Sequence, residues 1–323
     1  MSEIATEKIS IIIPTYNEVT YIDKCLKSIF AQTISQENVE IIVVDGGSTD
    51  GTKSIVSKYK NVILLDNPKK LVTYALNIGI EYSSGDYIIR MDAHSNYEQD
   101  YIEKCIYYLK ETGADNVGGV AKTVGIGFCG QGNAEILSSK FGVGNSKFRT
   151  ENFNGYVDTV PFGAFRREVF EQVGLFNPEL PRSEDNDINS RIRKNGGKVY
   201  LSSDIKFKYY CRNTVGGLLK QAMLNGNALF LTLRKNPKAM SVRHFIPFLF
   251  VLSLLLMPVL CSVSIIFCYL YGLEAVLYLS LDIIFSFFQG ERKTGLYKFV
   301  MFPLFHFTYG IGSFIGLFGI KLY

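Results

Sequence analysis

The sequence holds no tryptophan, no Cys-x-x-Cys pair, no block of basic residues and, in its last quarter, almost no charge. Six cysteines, Cys25, Cys105, Cys129, Cys211, Cys261 and Cys268, are scattered without metal-ligand spacing. That pattern excludes a cysteine-built metal centre and reads as reduced thiols in a cytosolic setting, not as a disulfide framework. A net charge of +4, made of 34 basic and 30 acidic residues, argues against nucleic acid as a partner and suits a membrane surface better. Met1 to Ser10 is polar and acidic, so no cleavable signal sequence is expected, and the soluble part is expected to stay in the cytoplasm.

The length of 323 residues allows roughly two structural units. Charge divides them, because only seven charged residues follow Phe245. Upstream, strand and helix patterns alternate. Ile9 to Ile13 is nearly all apolar, as a strand covered on both faces must be. A helix pattern follows with Ile22, Leu26, Ile29 and Phe30 at spacings of three and four, and further strands are expected at Val39 to Val44, Val62 to Leu65 and Tyr87 to Met91. Helices are expected at Asp50 to Tyr59 and Leu71 to Tyr82. Such alternation predicts right-handed crossovers and an α/β domain with a mostly parallel, Rossmann-like sheet. From Gly125 to Tyr156 the pattern loosens and reads as a functional loop. A helix at Glu184 to Asn195 and β segments at Lys198 to Tyr210 complete a soluble domain over residues 1–212.

Residues 213–244 read as an interfacial segment, moderately amphipathic and ending in Arg234, Lys235, Lys238 and Arg243, as suits an anionic membrane surface. Residues 245–323 read as a transmembrane region of about three helices, 245–271, 273–289 and 297–320. The middle run is short and contains Asp282, which fits either a second span or a re-entrant hairpin. With three spans, the basic residues before Phe245 and the loop Arg292, Lys293, Lys298 both face the cytoplasm. Glycines 310, 312, 316 and 319 read as close helix packing, and His306 as either a helix–helix hydrogen bond or part of a path for a lipid-linked substrate.

Ligands of open α/β sheets bind beyond the carboxyl ends of the strands. There stand Pro14-Thr15-Tyr16-Asn17-Glu18, then Asp45-Gly46-Gly47-Ser48-Thr49-Asp50, then Asp92-Ala93-His94. Asp45-Gly46-Gly47 reads as a nucleotide contact or as a tight turn into a helix capped by Asp50 or Ser48. Asp92 and His94 are two apart, so in extended backbone they face the same side and share a divalent cation; otherwise Asp92 caps the next helix and His94 is a turn residue. An imidazole ligand suits Mn²⁺ better than Mg²⁺. Arg90 reads as a neighbour neutralising one of these acids.

The runs Ile11-Ile12-Ile13-Pro14-Thr15-Tyr16-Asn17-Glu18, Val44 to Thr52, Met91-Asp92-Ala93-His94 and Ser183-Glu184-Asp185-Asn186-Asp187 resemble family 2 glycosyltransferases with the GT-A fold. The Asp-Ala-His version, the Phe141 to Ser146 loop and the tail Phe302 to Gly310 are similar to bacterial succinoglycan-type exopolysaccharide enzymes. The resemblance implies that Thr15, Tyr16 and Glu18 hold the nucleotide, that Asp45 contacts uracil or ribose, and that Asp92 and His94 bind metal and diphosphate. It places Asp185, beside Glu184, as the catalytic base. Many members carry two consecutive acids where this chain has Asp45-Gly46. Processive synthases carry Gln-x-x-Arg-Trp where this chain reads Gln221-Ala222-Met223-Leu224-Asn225, so the missing tryptophan argues against processive polymerisation.

These residue types suit transfer to an alcohol. A carboxylate takes the acceptor proton, and a divalent cation, Mn²⁺ or Mg²⁺, neutralises the leaving diphosphate. Asp185 serves as base unless Glu184-Asp185 is only the acidic first turn of a Ser183-capped helix. The expected activity is inverting transfer of a sugar from a nucleotide-sugar donor, UDP-linked, to a polyprenyl-diphosphate-linked glycan at the membrane lipid surface. The rivals are a polyprenyl-phosphate glycosyltransferase and a nucleotide-sensing transport or scaffold component.

Overall fold

The computed structural model describes residues 7–150, 152–180 and 182–323. In chain order, β1 (Ile9–Thr15), α1 (Ile22–Phe30), β2 (Val39–Asp45), α2 (Thr52–Val56), β3 (Val62–Asp66), α3 (Val72–Tyr82) and β4 (Tyr87–Arg90) alternate as expected. Then come β5 (Ser95–Tyr97), α4 (Tyr101–Thr112), β6 (Asn116–Val124), α5 (Gly127–Ser138), α6 (Lys140–Val143) and α7 (Lys147–Thr150). They are followed by β7 (Gly155–Tyr156), β8 (Ala164–Arg166), α8 (Glu168–Val173), α9 (Glu184–Lys194) and β9 (Val199–Tyr210). The last helices are α10 (Val215–Lys235), α11 (Ile246–Cys261), α12 (Ile265–Ile283) and α13 (Gly295–Leu317).

The strands form one mixed sheet in the order β3-β2-β1-β4-β8-β6-β9-β5, with β7 beside β9. The parallel part is β3-β2-β1-β4, in the register Ile12↔Ile42 and Ile12↔Arg90 across its centre. Antiparallel pairs β4–β8, β8–β6 and β9–β5 extend it. Ile9, Ile11, Ile12 and Ile13 are buried because helices cover both faces. On α1, Ile22, Cys25, Leu26 and Ile29 turn inward, while Asp23 and Lys27 pair at 2.8 Å outside. α3 lies tight on the sheet, since a Cβ on Gly79 would stand 2.5 Å from Ile12 Cγ2. Chain order runs outward from β1 to β3 and returns on its other side with β4, so the crevice opens between the carboxyl ends of β1 and β4.

The chain divides into two compact units, Met1–Lys122 with Glu151–Tyr209, and Thr123–Thr150 with Tyr210–Tyr323. The stretch read from sequence as an irregular loop, 125–156, is therefore largely helical, and its residues up to Thr150 fold with the C-terminal helices. Glycines hide α5, because they lower helix propensity. Gly132 is required because a Cβ there would lie 2.3 Å from the Tyr297 ring.

Three helices in the second unit are long and apolar enough to cross a membrane: Val242–Cys261, Ile265–Phe288 and Arg292–Leu317. The run 245–271 is not one helix. It breaks at Ser262–Ser264, where the Ser264 side chain caps α12 by accepting from Ile266 N at 3.3 Å, and the boundary expected near 272 lies inside α12. An uncharged run gives a turn no polar signature except these serines. Lys298, expected in a cytoplasmic loop, is 1% exposed and paired with Glu135 at 2.6 Å. His306 makes hydrogen bonds to other elements of the second unit, donating from Nε2 to Phe141 O (2.9 Å) while Tyr278 OH donates to its Nδ1 (2.9 Å).

Close packing at glycine is found where expected for three of the four positions. A Cβ on Gly310 would meet Val251 Cγ2 at 2.3 Å, one on Gly312 the Met223 carbonyl at 2.1 Å, and one on Gly316 the Asn227 carbonyl at 2.2 Å. From the facing helix, a Cβ on Gly226 would meet Tyr309 O at 1.9 Å. Backbone cannot yield as a side chain does, so Gly226→Ala should cost about 1–3 kcal/mol of stability. Gly272→Ala meets nothing within 4 Å and should be neutral or gain up to about 1 kcal/mol. Thermal midpoints of the two variants in detergent, read side by side, check this.

Candidate active site

Two loops are stitched together over the carboxyl ends of β1 and β2. Asn17 N donates to Ser48 Oγ (2.8 Å), Thr49 N to Asn17 Oδ1 (3.0 Å), Glu18 N to Thr52 Oγ1 (2.9 Å) and Val19 N to Asp50 Oδ2 (3.0 Å). Thr15 is buried and donates to Val44 O at 3.4 Å. Asp45 is fully buried (0% exposed) and spends its carboxylate on its own loop, accepting from Gly47 N at 2.9 Å, Ser48 N at 2.8 Å and Ser48 Oγ at 2.5 Å. These bonds build the tight turn of the Asp45-Gly46-Gly47 loop. Tyr16 is half exposed, with Lys70 Nζ 5.8 Å from its ring centre. A Cβ on Gly46 would lie 3.3 Å from Tyr16 Cδ2, so glycine at the position of the missing second acid leaves room for this ring.

Arg90 closes β4 and is buried. Its Nε donates to Asp92 Oδ1 at 3.2 Å, and one terminal nitrogen donates to Glu184 Oε1 at 2.9 Å and to Asp185 Oδ1 at 2.8 Å. The guanidinium also stands 5.3 Å from the Phe162 ring centre. Phe162 N in turn donates to Asp185 Oδ2 at 3.3 Å. One cation thus collects the strand end, the N-terminus of α9 and the loop before β8. Burial works against its charge, but Asp185, Asp92 and Glu184 outweigh that and hold Arg90 protonated well beyond the ordinary range. Burial pushes the Asp185 carboxyl up to about 7; Arg90 opposes the rise, while Glu184 and Asp92 add to it.

The chain after β4 does not stay extended. Ser95 N donates to Asp92 O at 3.1 Å, closing a turn, so the same-side geometry expected for residues two apart in a strand does not apply to Asp92 and His94. The turn is held from beneath, where Asp92 N donates to Tyr97 Oη at 2.7 Å. His94 Nδ1 donates to Glu18 Oε1 at 3.0 Å, which leaves Nε2 as the ring's available lone pair, and Tyr209 meets the ring edge-on at 5.2 Å. Glu18 thus orients the imidazole.

Among the described residues no group of three or more His, Cys, Asp or Glu side chains forms a metal cage. Asp92 and His94 offer one carboxylate and one imidazole. By donor chemistry the pair would suit a divalent cation that also takes ligands from outside the protein. Glu18 would then act as the outer carboxylate that fixes a histidine ligand.

α9 begins without the expected serine cap: Ser183 lies at φ 64° and its side chain accepts nothing from the helix. Glu184 and Asp185 therefore turn to Arg90. Asp187 pairs with Arg191 at 2.9 Å. Arg191 donates to the carbonyls of Val173, Gly174 and Leu175 at 2.5–3.1 Å and secures the turn after α8. All four non-glycine residues with positive φ among those described, Asn17 (55°), Lys70 (59°), Phe162 (63°) and Ser183 (64°), border this crevice. Backbone held this way is strained, and such strain gathers at functional sites. Sequence reasoning gave Arg90 too small a part and passed over Phe162 and Tyr209. The signal for Arg90 was an arginine in the otherwise apolar strand Tyr87–Met91.

The family model for Glycosyl transferase family 2 matches residues 10–174, from β1 to the end of α8, and stops short of Glu184 and Asp185. The succinoglycan biosynthesis protein ExoA of Rhizobium meliloti (strain 1021) is 30% identical over 251 residues, 76% of this chain and 76% of that protein. A dolichyl N-acetyl-alpha-D-glucosaminyl phosphate 3-beta-D-2,3-diacetamido-2,3-dideoxy-beta-D-glucuronosyltransferase of Methanococcus voltae is 29% identical over 313 residues, 90% of this chain and 96% of its own length. The mannosyltransferase PcManGT of Pyrobaculum calidifontis, solved with GDP-Man and Mn²⁺, superposes with a TM-score of 0.64 at 17% identity, covering 95% of this chain and 87% of that one. S. aureus TarS 1-349 with UDP-GlcNAc gives 0.53 at 17% identity, covering 98% and 93%. The fold is therefore GT-A, and the chain belongs to glycosyl transferase family 2.

Proposed function

We propose that this glycosyltransferase moves a sugar, with inversion, from a UDP-sugar to a hydroxyl of a polyprenyl-diphosphate-linked glycan, as a membrane protein with its catalytic domain in the cytoplasm. The observation that carries the reading is Asp185, a carboxyl held near neutrality beside Arg90 and Asp92 at the mouth of the sheet crevice. A general base works best with a pKa close to the operating pH. Asp185 takes the acceptor proton as the hydroxyl oxygen attacks the anomeric carbon and the nucleoside diphosphate departs from the opposite face. Arg90 orients the base, and Tyr16 offers an exposed ring for stacking the nucleobase. Asp92 and His94 would hold the divalent cation, which supplies Lewis-acid neutralisation of the leaving diphosphate. The succinoglycan relative supports surface polysaccharide synthesis, and the Methanococcus relative, named for a dolichyl-linked sugar phosphate, supports a sugar hydroxyl on a lipid carrier over a bare polyprenyl phosphate.

Purified enzyme incubated with labelled UDP-sugars and lipid-linked acceptors should show transfer that falls by about 10²–10⁴-fold in Asp185→Asn. Transfer kept in that variant would remove Asp185 from the role of base, and labelling of bare polyprenyl phosphate would favour the rival acceptor. Chelation by EDTA should abolish transfer and Mn²⁺ restore it, with His94→Ala needing more Mn²⁺ for half-maximal rate; a rate indifferent to EDTA refutes the metal assignment.

The pH profile tests the cluster itself. Asp185 must be ionised to accept a proton, so the rate should climb with pH up to about 7 and then level off. Arg90 favours the ionised form, so Arg90→Gln should move this limb to higher pH. A limb left in place would mean that Arg90 does not set the acidity of the base.

A further inference from the structure

The second unit contains two long helices that lie side by side and point the same way. At their N-terminal ends both are fixed to Asn133, which donates to Arg212 O (2.7 Å) and Thr214 O (3.2 Å) ahead of α10 and accepts from Tyr297 OH (2.7 Å) on α13. In the middle the glycine contacts pair Met223 with Gly312 and Asn227 with Gly316. At the far end Arg234 donates to Leu317 O, and Asn227 donates to Ile320 O at 2.9 Å and accepts from Leu322 N at 3.2 Å. At ~1.5 Å per residue the helices are about 31 and 34 Å long.

This pairing constrains how the unit meets a bilayer. If α13 crossed, α10 would cross beside it, carrying Lys220, Gln221, Asn225 and Asn227, although α10 is not among the helices apolar enough to span. Crossing would also put Arg234, Lys235, Lys238 and Arg243 on the face opposite Arg292 and Lys293, against the rule that basic flanks stay on one side. Lying in the plane satisfies both conditions. α13 is shaped for that: Leu296, Val300, Leu304 and Phe307 form one exposed apolar stripe, opposite a buried face that includes Met301, Phe302 and Phe305.

α11 and α12 behave differently. Phe250 stacks on Tyr278 at 4.5 Å, and from Leu252 to Leu277 no residue is buried. The outward side chains are apolar, with Val263 at the tip 75% exposed. Polar groups of the tip are satisfied within the chain: Ser262 Oγ donates to Val259 O at 2.7 Å, Ser264 N to Leu260 O at 3.1 Å, and within the hairpin Ser253 donates to Glu274. A turn placed in hydrocarbon must satisfy its backbone in this way. Measured from Val251 and from Tyr278, the two arms reach about 17 and 21 Å, short of the ~30 Å hydrocarbon core.

We infer that this unit enters the bilayer from one face only: α10 and α13 lie in the plane of the interface, with basic residues at both ends on the anionic headgroups, and α11–α12 dips in as a re-entrant hairpin that returns to the same side. The inference rests on the membrane location proposed above and adds its topology.

Single cysteines at Lys238→Cys, Val263→Cys, Lys293→Cys and Lys321→Cys, in a chain with Cys129, Cys261 and Cys268 changed to Ser, test it with a membrane-impermeant maleimide. Right-side-out and inverted vesicles are compared, and transfer activity reports that each variant is folded. Positions 238, 293 and 321 should label in the same vesicle orientation, and 263 in neither until detergent is added. Labelling of 321 from the face opposite 293 overturns the in-plane helix, and labelling of 263 from either face overturns the buried re-entrant tip. Flotation with liposomes separates the two levels, because a chain that does not float refutes the membrane location itself.

Discussion

The site depends on one buried guanidinium. Arg90 ends a strand whose other residues are there to be covered, and it draws Asp92, Glu184 and Asp185 into its reach from two distant parts of the chain. Three carboxylates around one cation leave a surplus of negative charge out of water, and such a surplus is expensive. It is relieved by keeping one carboxyl protonated near neutrality. The sign follows from linkage: a carboxyl raised from its ordinary value to about 7 lends the fold stability at acid pH and withdraws it as pH rises through 7. Readiness to take a proton is thus set against stability at the pH where the enzyme works. The strained backbone at Phe162 and Ser183 belongs to the same compromise, since both residues carry the chain into contact with the cluster.

Much of the first unit was legible. Isoleucine and valine runs separated by helical spacing fix strands and crossovers, and the strand order then forces the Thr15, Asp45 and Asp92 tips to one edge. What those tips do was harder to read. The folding back of the Asp45 carboxylate on Gly47 and Ser48 leaves no mark in the spacing of the sequence. Likewise Glu18 and His94 are 76 residues apart, and nothing in the spacing of either announces their contact. The importance of Arg90 lies in partners 94 and 95 residues away, which only tertiary structure brings near.

The second unit was less legible for a different reason. Sequence separates it from water by its lack of charge, but a lack carries no register. Helix α5 is masked by its glycines, of which Gly132 admits the Tyr297 ring, and the turn at Ser262–Ser264 is masked by flanks as apolar as itself. Packing there relies on backbone approaching backbone, the usual means in a medium where apolar surface gains little by being hidden. Glycine reads as a break in one-dimensional pattern and acts as a joint in three.

Glu135 and Lys298 meet at 2.6 Å across 163 residues of chain. On a ribosome adding ~5–20 residues per second, Glu135 emerges roughly 8–30 s before the lysine that neutralises it is made. During that interval the segment from Thr123 to Thr150 has left the first unit and has no second unit to join. The first unit can close its sheet as soon as β9 is out, whereas this excursion must wait, with its Phe141 ring uncovered, for Phe302 and His306 of α13. The uncovered interval therefore opens with the synthesis of Phe141 and closes only with that of α13, long after every strand of the first unit has been made.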